Sequence, residues 1–180
     1  MKPPAGLTLL VGGARSGKSS LAVQLAEGFE GPVVFVATAV VGDDDMAARV
    51  ARHRAERPKS WSTPENPTFA SADVGAVDAT ACVVVDCLTL WVNEMMAASD
   101  ASSIVESAHR LAADLAARTA PTIVVTNEVG LGLVPMNPIA RQYRDTLGNV
   151  NRTFGSAAAQ SYFVSAGLLL ALQRPHDLFR

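Results

Sequence analysis

The sequence predicts an α/β fold in which a mostly parallel β-sheet is flanked by helices. Short, continuous apolar runs, which are typical of buried parallel strands, alternate with longer Ala-rich segments of helical character. A glycine-rich turn follows the first run, and such β–helix–β alternation implies right-handed crossovers. The length of 180 residues and the apolar content of 49% suit one domain, which we expect to span residues 1–180.

Four apolar runs are the predicted parallel strands, and a turn follows each of them. They are residues 7–11, 33–37, 82–86 and 122–126. Helices are predicted at 19–29, 43–57 and 102–118. Two late runs, 161–165 and 167–172, predict an antiparallel C-terminal hairpin, and 58–74 is predicted to be an irregular surface excursion.

Composition and charge exclude several classes of protein. Fifteen Lys and Arg against seventeen Asp and Glu give a net charge of −2, without the basic excess of a nucleic-acid-coating protein. Every apolar run is far shorter than the ~20 residues of a membrane-spanning helix, and no secretory leader is recognisable. Cys82 and Cys87 fit neither a disulfide framework nor a CxxC metal site. We therefore expect a cytoplasmic protein with no nucleic-acid partner and no membrane span.

The glycine-rich turn matches the phosphate-binding pattern GxxxxGK[ST] at every fixed position. Its backbone N–H groups and the following helix N-terminus would bind phosphate oxygens. Lys18 would reach the β- and γ-phosphates, and the Ser19 hydroxyl would bind Mg²⁺. The predicted cradle consists of Gly12, Gly13, Ala14, Arg15, Ser16, Gly17, Lys18 and Ser19. With the β–α alternation, this motif predicts a P-loop NTPase fold of the RecA-like type.

Polar residues end two further strands at the same predicted edge of the sheet. Asp86 closes the run CVVVD, where a second ligand for Mg²⁺ is expected beside the phosphate loop. Thr126, Asn127 and Glu128 end the next strand, and they act either on the ligand or only as a turn and helix cap. The chain has no NKxD guanine-specificity box, which disfavours a regulatory GTPase of the Ras type.

A helix predicted to end before Pro58 carries a charged stripe. Asp45, Arg49, His53 and Arg57 recur at every fourth residue and so share one face. This face is either a solvated helix surface or a phosphate-binding surface, since guanidinium groups bind phosphates in a bidentate way. In the second case, His53 is a candidate nucleophile.

Several motifs together resemble the bifunctional adenosylcobinamide kinase/adenosylcobinamide-phosphate guanylyltransferase family. These motifs are GGARSGKS, FVATAVVGDDDMAARVARHRAERP with a following W-x-T-x-E, VVDCLTLWVN, and TNEVGLGLVPMNPIARQYRD with its GNVN sequel. They occur in this order and extend over roughly residues 7–172. Some members of the family carry two adjacent histidines; here Arg52 takes the first place, which leaves His53 as the local candidate.

The resemblance implies two reactions on a corrinoid substrate. A nucleoside triphosphate, GTP or ATP, phosphorylates adenosylcobinamide in the presence of Mg²⁺. His53 then takes GMP from GTP as a phosphoramidate and passes it to the cobinamide phosphate. The resemblance also implies a homotrimer with nucleotide sites near the subunit contacts. The nucleotide-binding positions carried onto this sequence are Ala37, Thr38, Ala39, Arg54, Ala55, Glu56, Arg57, Glu65 and Asp86.

Two other functions stay open at this point. The first is a P-loop kinase of another small alcohol or nucleotide, in which His53 only helps to clamp phosphate. The second is a nucleotide-dependent scaffold in which hydrolysis switches the shape of the protein. A covalent His53 adduct with GMP separates both of them from the bifunctional enzyme.

Overall fold

A computed structural model describes residues 1–40 and 44–179 of the chain. Six strands and seven helices are described in these ranges. In chain order they are β1 (Leu7–Gly12), α1 (Lys18–Glu27), β2 (Val33–Ala37), α2 (Asp44–Ala55), α3 (Ser71–Val74), β3 (Cys82–Asp86), α4 (Leu88–Met95), α5 (Ala101–Ala116), β4 (Thr122–Asn127), α6 (Pro138–Ala157), β5 (Gln160–Ser165), β6 (Leu168–Leu172) and α7 (Pro175–Leu178).

The six strands form one sheet in the order β2-β3-β4-β1-β5-β6. Strands β1 to β5 pair in parallel, whereas β6 pairs with β5 in an antiparallel hairpin. The predicted α/β sheet and its C-terminal hairpin are therefore confirmed. Since β4 lies between β1 and β3, the carboxyl ends of all three strands meet at one edge of the sheet.

Each face of the sheet has its own buried core. On one face, Ala22 and Leu25 of α1 pack against strand residues such as Phe35, Val84 and Val125. The other face is covered by α4, α5 and α6, whose buried residues include Trp91, Leu111, Leu147 and Phe154. We call these the α1 face and the α6 face. Because side chains alternate along a strand, this division shows which strand residues can reach α1.

Two helices of the α6 face were not predicted from the sequence. Helix α6 has a clear start signal, because the Asn137 side chain accepts a hydrogen bond from Ile139 N at 2.8 Å and Pro138 follows as the first helical residue. Its interior contains Gly148 and Gly155, which lower helix propensity. Burial of its apolar side therefore outweighs its local preference. Helix α4 is short and begins directly after β3.

The segment after α2 is more regular than the sequence indicated. Its backbone runs parallel to β2 through isolated bridges from Val34 to Ser62 and from Ala37 to Glu65. Ser62 O accepts from Phe35 N at 2.8 Å, and Ser62 N donates to Val33 O at 3.1 Å. Strand β2 is the last strand on its side of the sheet, so this segment satisfies backbone groups that would otherwise be open to pairing with another chain. The segment predicted to be irregular thus forms no strand of its own, but two bridges hold it against β2.

Part of the predicted helix at 43–57, with two members of its charged stripe, lies outside the described residues. Asp43 and the side chains of Asp45 and Arg49 belong to this part, whereas His53 and Arg57 are described. Within 1–40 and 44–179, no helix combines the length and the apolar character that crossing a bilayer requires.

Candidate functional site

The phosphate loop connects β1 to α1 and has the backbone shape of an anion cradle. Arg15 and Gly17 adopt positive φ angles of 58° and 100°, so successive N–H groups turn inward before α1 begins at Lys18. Lys18 is buried, and its Nζ donates to Gly13 O at 2.6 Å and to Ser16 Oγ at 3.2 Å. A charged ammonium group is thus held across the mouth of the loop, where a phosphate would meet it.

Ser19 and Asp86 are brought together from α1 and β3. The Ser19 hydroxyl donates to Asp86 Oδ1 at 3.3 Å. The described residues contain no group of three His, Cys, Asp or Glu that would hold a metal alone. A Mg²⁺ ion that arrives with a nucleotide needs only one or two protein oxygens, because phosphates and water supply the remaining ligands. The Ser19–Asp86 pair fits that requirement.

Besides the Ser19 hydroxyl, three charged or titratable side chains act on the Asp86 carboxyl. Burial raises the pKa of the Asp86 carboxyl above its usual range. The Ser19 hydrogen bond opposes that rise, and so do the electrostatic interactions with His53, Arg57 and Lys18. These residues come from α1, from α2 and from the loop after α2, so their common neighbour Asp86 marks the centre of the site.

Arg57 is held against the α1 face by an aromatic stack. Its guanidinium carbon lies 3.6 Å from the centroid of the Phe35 ring, and Phe35 stacks on Trp61 with centroids 6.5 Å apart. Burial lowers the pKa of Arg57, while the negative charge of Asp86 opposes this effect. Its Nε is buried and makes no hydrogen bond within the described ranges. Arg57 therefore carries a fixed positive charge close to the site.

His53 lies one helical turn before Arg57 and is partly exposed, with 27% of its side-chain surface accessible. Its Nδ1 is 4.0 Å from a carboxylate oxygen of Glu56. This distance is too long for a hydrogen bond, so Glu56 only places negative charge on the Nδ1 side of the ring. Arg54 forms an ion pair with Glu65 of the segment beside β2, and Ala55 is exposed.

The residues after β2 are placed differently from one another. Ala37 is buried at the end of the strand, and Ala39 is partly exposed. Thr38 is fully buried, and its hydroxyl bonds with both the carbonyl and the N–H of Cys87, at 2.7 and 2.6 Å. The Thr38 side chain thus supports the turn that follows Asp86, and this turn contains a cis Asp86–Cys87 peptide bond.

Further residues at the site were not singled out from the sequence. Thr89 of α4 and Asn151 of α6 hold the carboxyl end of β4 through hydrogen bonds of 2.7–3.0 Å to Thr126 and Asn127. The turn of the β5–β6 hairpin touches the phosphate loop, where Gly167 N donates to Ser16 O at 3.0 Å. Asn151 and Thr89 belong to the GNVN and LTLW segments of the sequence motifs, which is the only signal for them in the sequence. The contacts themselves could not be predicted, because each one joins residues that are far apart in the chain.

Solved structures with this fold include an ATPase and a recombinase. An ATPase from the type III secretion system of pathogenic bacteria superposes with a TM-score of 0.53 at 12% identity, over 96% of this chain and 60% of that one. The RadB recombinase superposes with a TM-score of 0.51 at 20% identity, over 89% and 74%. At these identities the likeness establishes the P-loop, RecA-like fold and nothing beyond it.

Sequence comparison is more specific. The bifunctional adenosylcobalamin biosynthesis protein CobP of Pseudomonas aeruginosa is 37% identical over 92% of this chain and 96% of its own length. The corresponding CobU protein of Salmonella typhimurium is 34% identical over 90% and 97%. Residues 8–172 match the family described as cobinamide kinase / cobinamide phosphate guanyltransferase. The chain therefore belongs to the cobinamide kinase / cobinamide phosphate guanyltransferase family.

Proposed function

We propose that this chain phosphorylates adenosylcobinamide with a nucleoside triphosphate and then transfers GMP from GTP to the product through His53. The observation that carries this proposal is the Ser19–Asp86 hydrogen bond beside the buried Lys18, with His53 and Arg57 acting electrostatically on the same carboxyl, in a chain of this family. A kinase needs the cradle and a magnesium site, and a covalent nucleotidyl transfer also needs a nucleophile beside them. GTP is the donor of the second step, and ATP is an alternative donor for the first.

In the kinase step, the cradle binds the triphosphate and aligns it with the substrate hydroxyl. The hydroxyl oxygen bonds to the γ-phosphorus while the bond to the β–γ bridging oxygen breaks. A nucleoside diphosphate leaves, and one proton is released to water. Lys18 balances the charge on the β- and γ-phosphates, and a Mg²⁺ bound by Ser19, Asp86 and the phosphates would neutralise further charge.

In the guanylyl step, Nε2 of His53 bonds to the α-phosphorus of GTP and pyrophosphate leaves. Nδ1 keeps its proton beside Glu56, so the imidazole of the adduct stays a good leaving group. An oxygen of the cobinamide phosphate then bonds to the same phosphorus, and the P–N bond breaks. Two sequential displacements are favoured because a positioned nucleophile acts at an effective molarity of about 10⁵ M or more.

The decisive experiment incubates the protein with α-³²P-GTP and Mg²⁺ and examines the denatured chain for label. We expect an acid-labile, base-stable adduct in the wild type and in His176→Ala, a control for an exposed histidine of the C-terminal tail. His53→Ala should carry no label. In parallel, transfer of γ-³²P to adenosylcobinamide is measured for the same three proteins.

The outcomes separate the functions. If no adduct forms while adenosylcobinamide is still phosphorylated, the guanylyl step is refuted and a kinase remains. If adenosylcobinamide is not phosphorylated and the chain takes up no GMP, both steps are contradicted and a scaffold is favoured. An adduct that persists in His53→Ala would assign the nucleophile to another residue.

We infer that the active form is a homotrimer. Two apolar side chains of the loop after β4 are almost fully exposed, Leu133 at 97% and Met136 at 95%. All five residues of β6, the strand at one end of the sheet, are exposed, including Leu168 at 74% and Leu170 at 63%. Surfaces of this kind mark protein contacts.

Native mass spectrometry of the wild type should give three times the mass of one chain. Leu170→Lys should lower the mass of the assembly, because it places a charge on the exposed face of β6. A wild-type monomer at micromolar concentration would refute the trimer.

Nucleoside triphosphates and Mg²⁺ are supplied in the cytoplasm, so we propose that the enzyme works there. Cys82 and Cys87 are both free thiols, as a reducing compartment requires. Fractionation of cells that express the tagged chain, followed by immunoblotting, tests this location. Recovery with the membrane or secreted fraction would contradict it.

A further inference from the structure

The carboxyl end of β4 presents an asparagine to which the two reactions above give no role. Asn127 lies opposite Gly12, the first residue of the phosphate loop, in the parallel register of β1 and β4. On the other side of β4, Val125 lies opposite Asp86 of β3. Asn127 is therefore situated between the phosphate cradle and the carboxylate at the centre of the site.

The alternation of side chains directs Asn127 toward α1. Val125 belongs to the core of the α1 face together with Ala22. Thr126 points to the opposite face, because its hydroxyl donates to Asn151 Oδ1 on α6 at 2.7 Å. Asn127 is the next residue of the strand, so its side chain returns to the α1 face.

Asp86 lies on the same face, one strand away. Val84 packs in the core of the α1 face, and Asp86, two residues later, accepts the hydrogen bond from Ser19 of α1. On β2, beyond Asp86, Arg57 covers the ring of Phe35. Asn127 and the helix that carries His53 thus approach Asp86 from opposite sides, with Asn127 on the side of the phosphate loop.

The backbone around Asn127 is held rigidly. Its N–H donates to Thr89 Oγ1 at 2.9 Å, and its carbonyl accepts from Asn151 Nδ2 at 3.0 Å. Glu128 N donates to Gly12 O at 3.0 Å, which ties the strand end to the start of the cradle. The half-buried side-chain amide of Asn127 makes no hydrogen bond to any described residue. The backbone that carries this amide is thus fixed, and the amide is available to a ligand.

We propose that Asn127 is a catalytic residue of the kinase step, whose side-chain N–H donates to an oxygen of the γ-phosphoryl group. This inference rests on the proposed function. During transfer, the bond from the hydroxyl oxygen to the γ-phosphorus forms, the bond to the β–γ bridging oxygen breaks, and charge on the phosphoryl oxygens is redistributed. A preorganised neutral donor at those oxygens stabilises that state without any rearrangement of solvent. His53 attacks the α-phosphorus, which the β-phosphate separates from the γ-phosphoryl group, so the guanylyl step does not need this contact.

The test compares the two reactions in Asn127→Ala and in the isosteric Asn127→Asp. One assay follows γ-³²P transfer from ATP to adenosylcobinamide, and the other follows single-turnover labelling of the chain by α-³²P-GTP. Loss of one such donor typically lowers a rate by about 10²-fold. We expect that loss in the kinase kcat of Asn127→Ala and a larger one in Asn127→Asp, because a carboxylate repels the phosphate. Gln24→Ala, an exposed amide within α1, is the matched control.

The deciding quantity is the ratio of the two losses. A kinase loss that exceeds the labelling loss by more than about tenfold in either folded variant supports the inference, and any smaller ratio overturns it. Circular dichroism identifies the folded variants, and Asn127→Asp keeps the shape of the side chain if Asn127→Ala does not fold. A wild type that phosphorylates no adenosylcobinamide would instead refute the proposed function itself.

Discussion

Lys18 is the residue whose loss should separate chemistry from folding most clearly. Its ammonium group bonds to Gly13 O and Ser16 Oγ, so Lys18→Ala removes a charge from the cradle but no part of the apolar core. We expect both reactions to slow by about 10²–10³-fold. The cost in stability should be about 1 kcal/mol, which is about 2–4 °C in Tm for a chain of this size.

Steady-state kinetics and thermal unfolding check this expectation, with Lys59→Ala as the control at an exposed lysine. Full kinase turnover in Lys18→Ala would contradict the role given to the loop. A cooperative melt that disappears altogether would show instead that Lys18 is needed for the fold.

Cys87 illustrates how the surroundings of the site alter the chemistry of a single residue. Burial, followed by the negative charge of Asp86, raises the pKa of its thiol from 9.0 to about 11. Burial also raises the pKa of Cys82 to about 11. The thiolate is the reactive form, so a rise of this size lowers its fraction at pH 8 by about 100-fold.

The native chain should therefore react with iodoacetamide about 100-fold more slowly at pH 8 than the same chain in urea. Because the folded pKa is the higher one, the native rate should rise about tenfold per pH unit until pH approaches 11. Mass spectrometry of the alkylated peptides assigns the rates, and Cys87→Ser isolates Cys82. Rapid native labelling of Cys82 at pH 8 would contradict its burial, and rapid labelling of the partly exposed Cys87 would contradict the raised pKa of its thiol.

At the scale of elements, sequence predicts best what is encoded in neighbouring residues. The strands were recognisable because buried parallel strands are continuous apolar runs, and the cradle because all its groups lie within eight consecutive residues. Helix α6 was not predicted because its glycines and polar residues have low helix propensity. It forms because its buried residues pack against the rest of the core. The hydrogen bond between Thr38 and Cys87 was not predicted either, because the two residues are 49 positions apart in the sequence.

The stability of α6 should accordingly depend on its buried side. Leu147 is fully buried and packs in the core of the α6 face, so Leu147→Ala should cost about 2–5 kcal/mol. Asn149→Ala, two residues further on at an exposed position of the same helix, should change little. Urea unfolding with an unchanged m-value measures both variants, and equal stabilities would show that packing does not hold α6.

At the scale of the whole molecule, the proposed nucleotide site connects parts that are otherwise joined only through the sheet. Lys18 and Ser19 begin α1, Asp86 ends β3, and Arg57 lies against β2. A ligand that binds only when these parts are assembled stabilises the folded chain by mass action. At a concentration of 100 times its Kd, the stabilisation is about 2.7 kcal/mol, which corresponds to a rise in Tm of about 5–10 °C.

GTP with Mg²⁺ should therefore raise the Tm of the wild type progressively as its concentration increases. Omission of Mg²⁺ should reduce the rise, because the phosphates then lose their link to Ser19 and Asp86. Lys18→Ala should show a smaller rise at each GTP concentration, whereas Lys59→Ala should follow the wild type. Differential scanning calorimetry at one fixed protein concentration keeps the contribution of subunit association to Tm constant between samples. An equal rise in the Tm of Lys18→Ala would mean that GTP binds away from the phosphate loop, which would contradict the role given to the cradle.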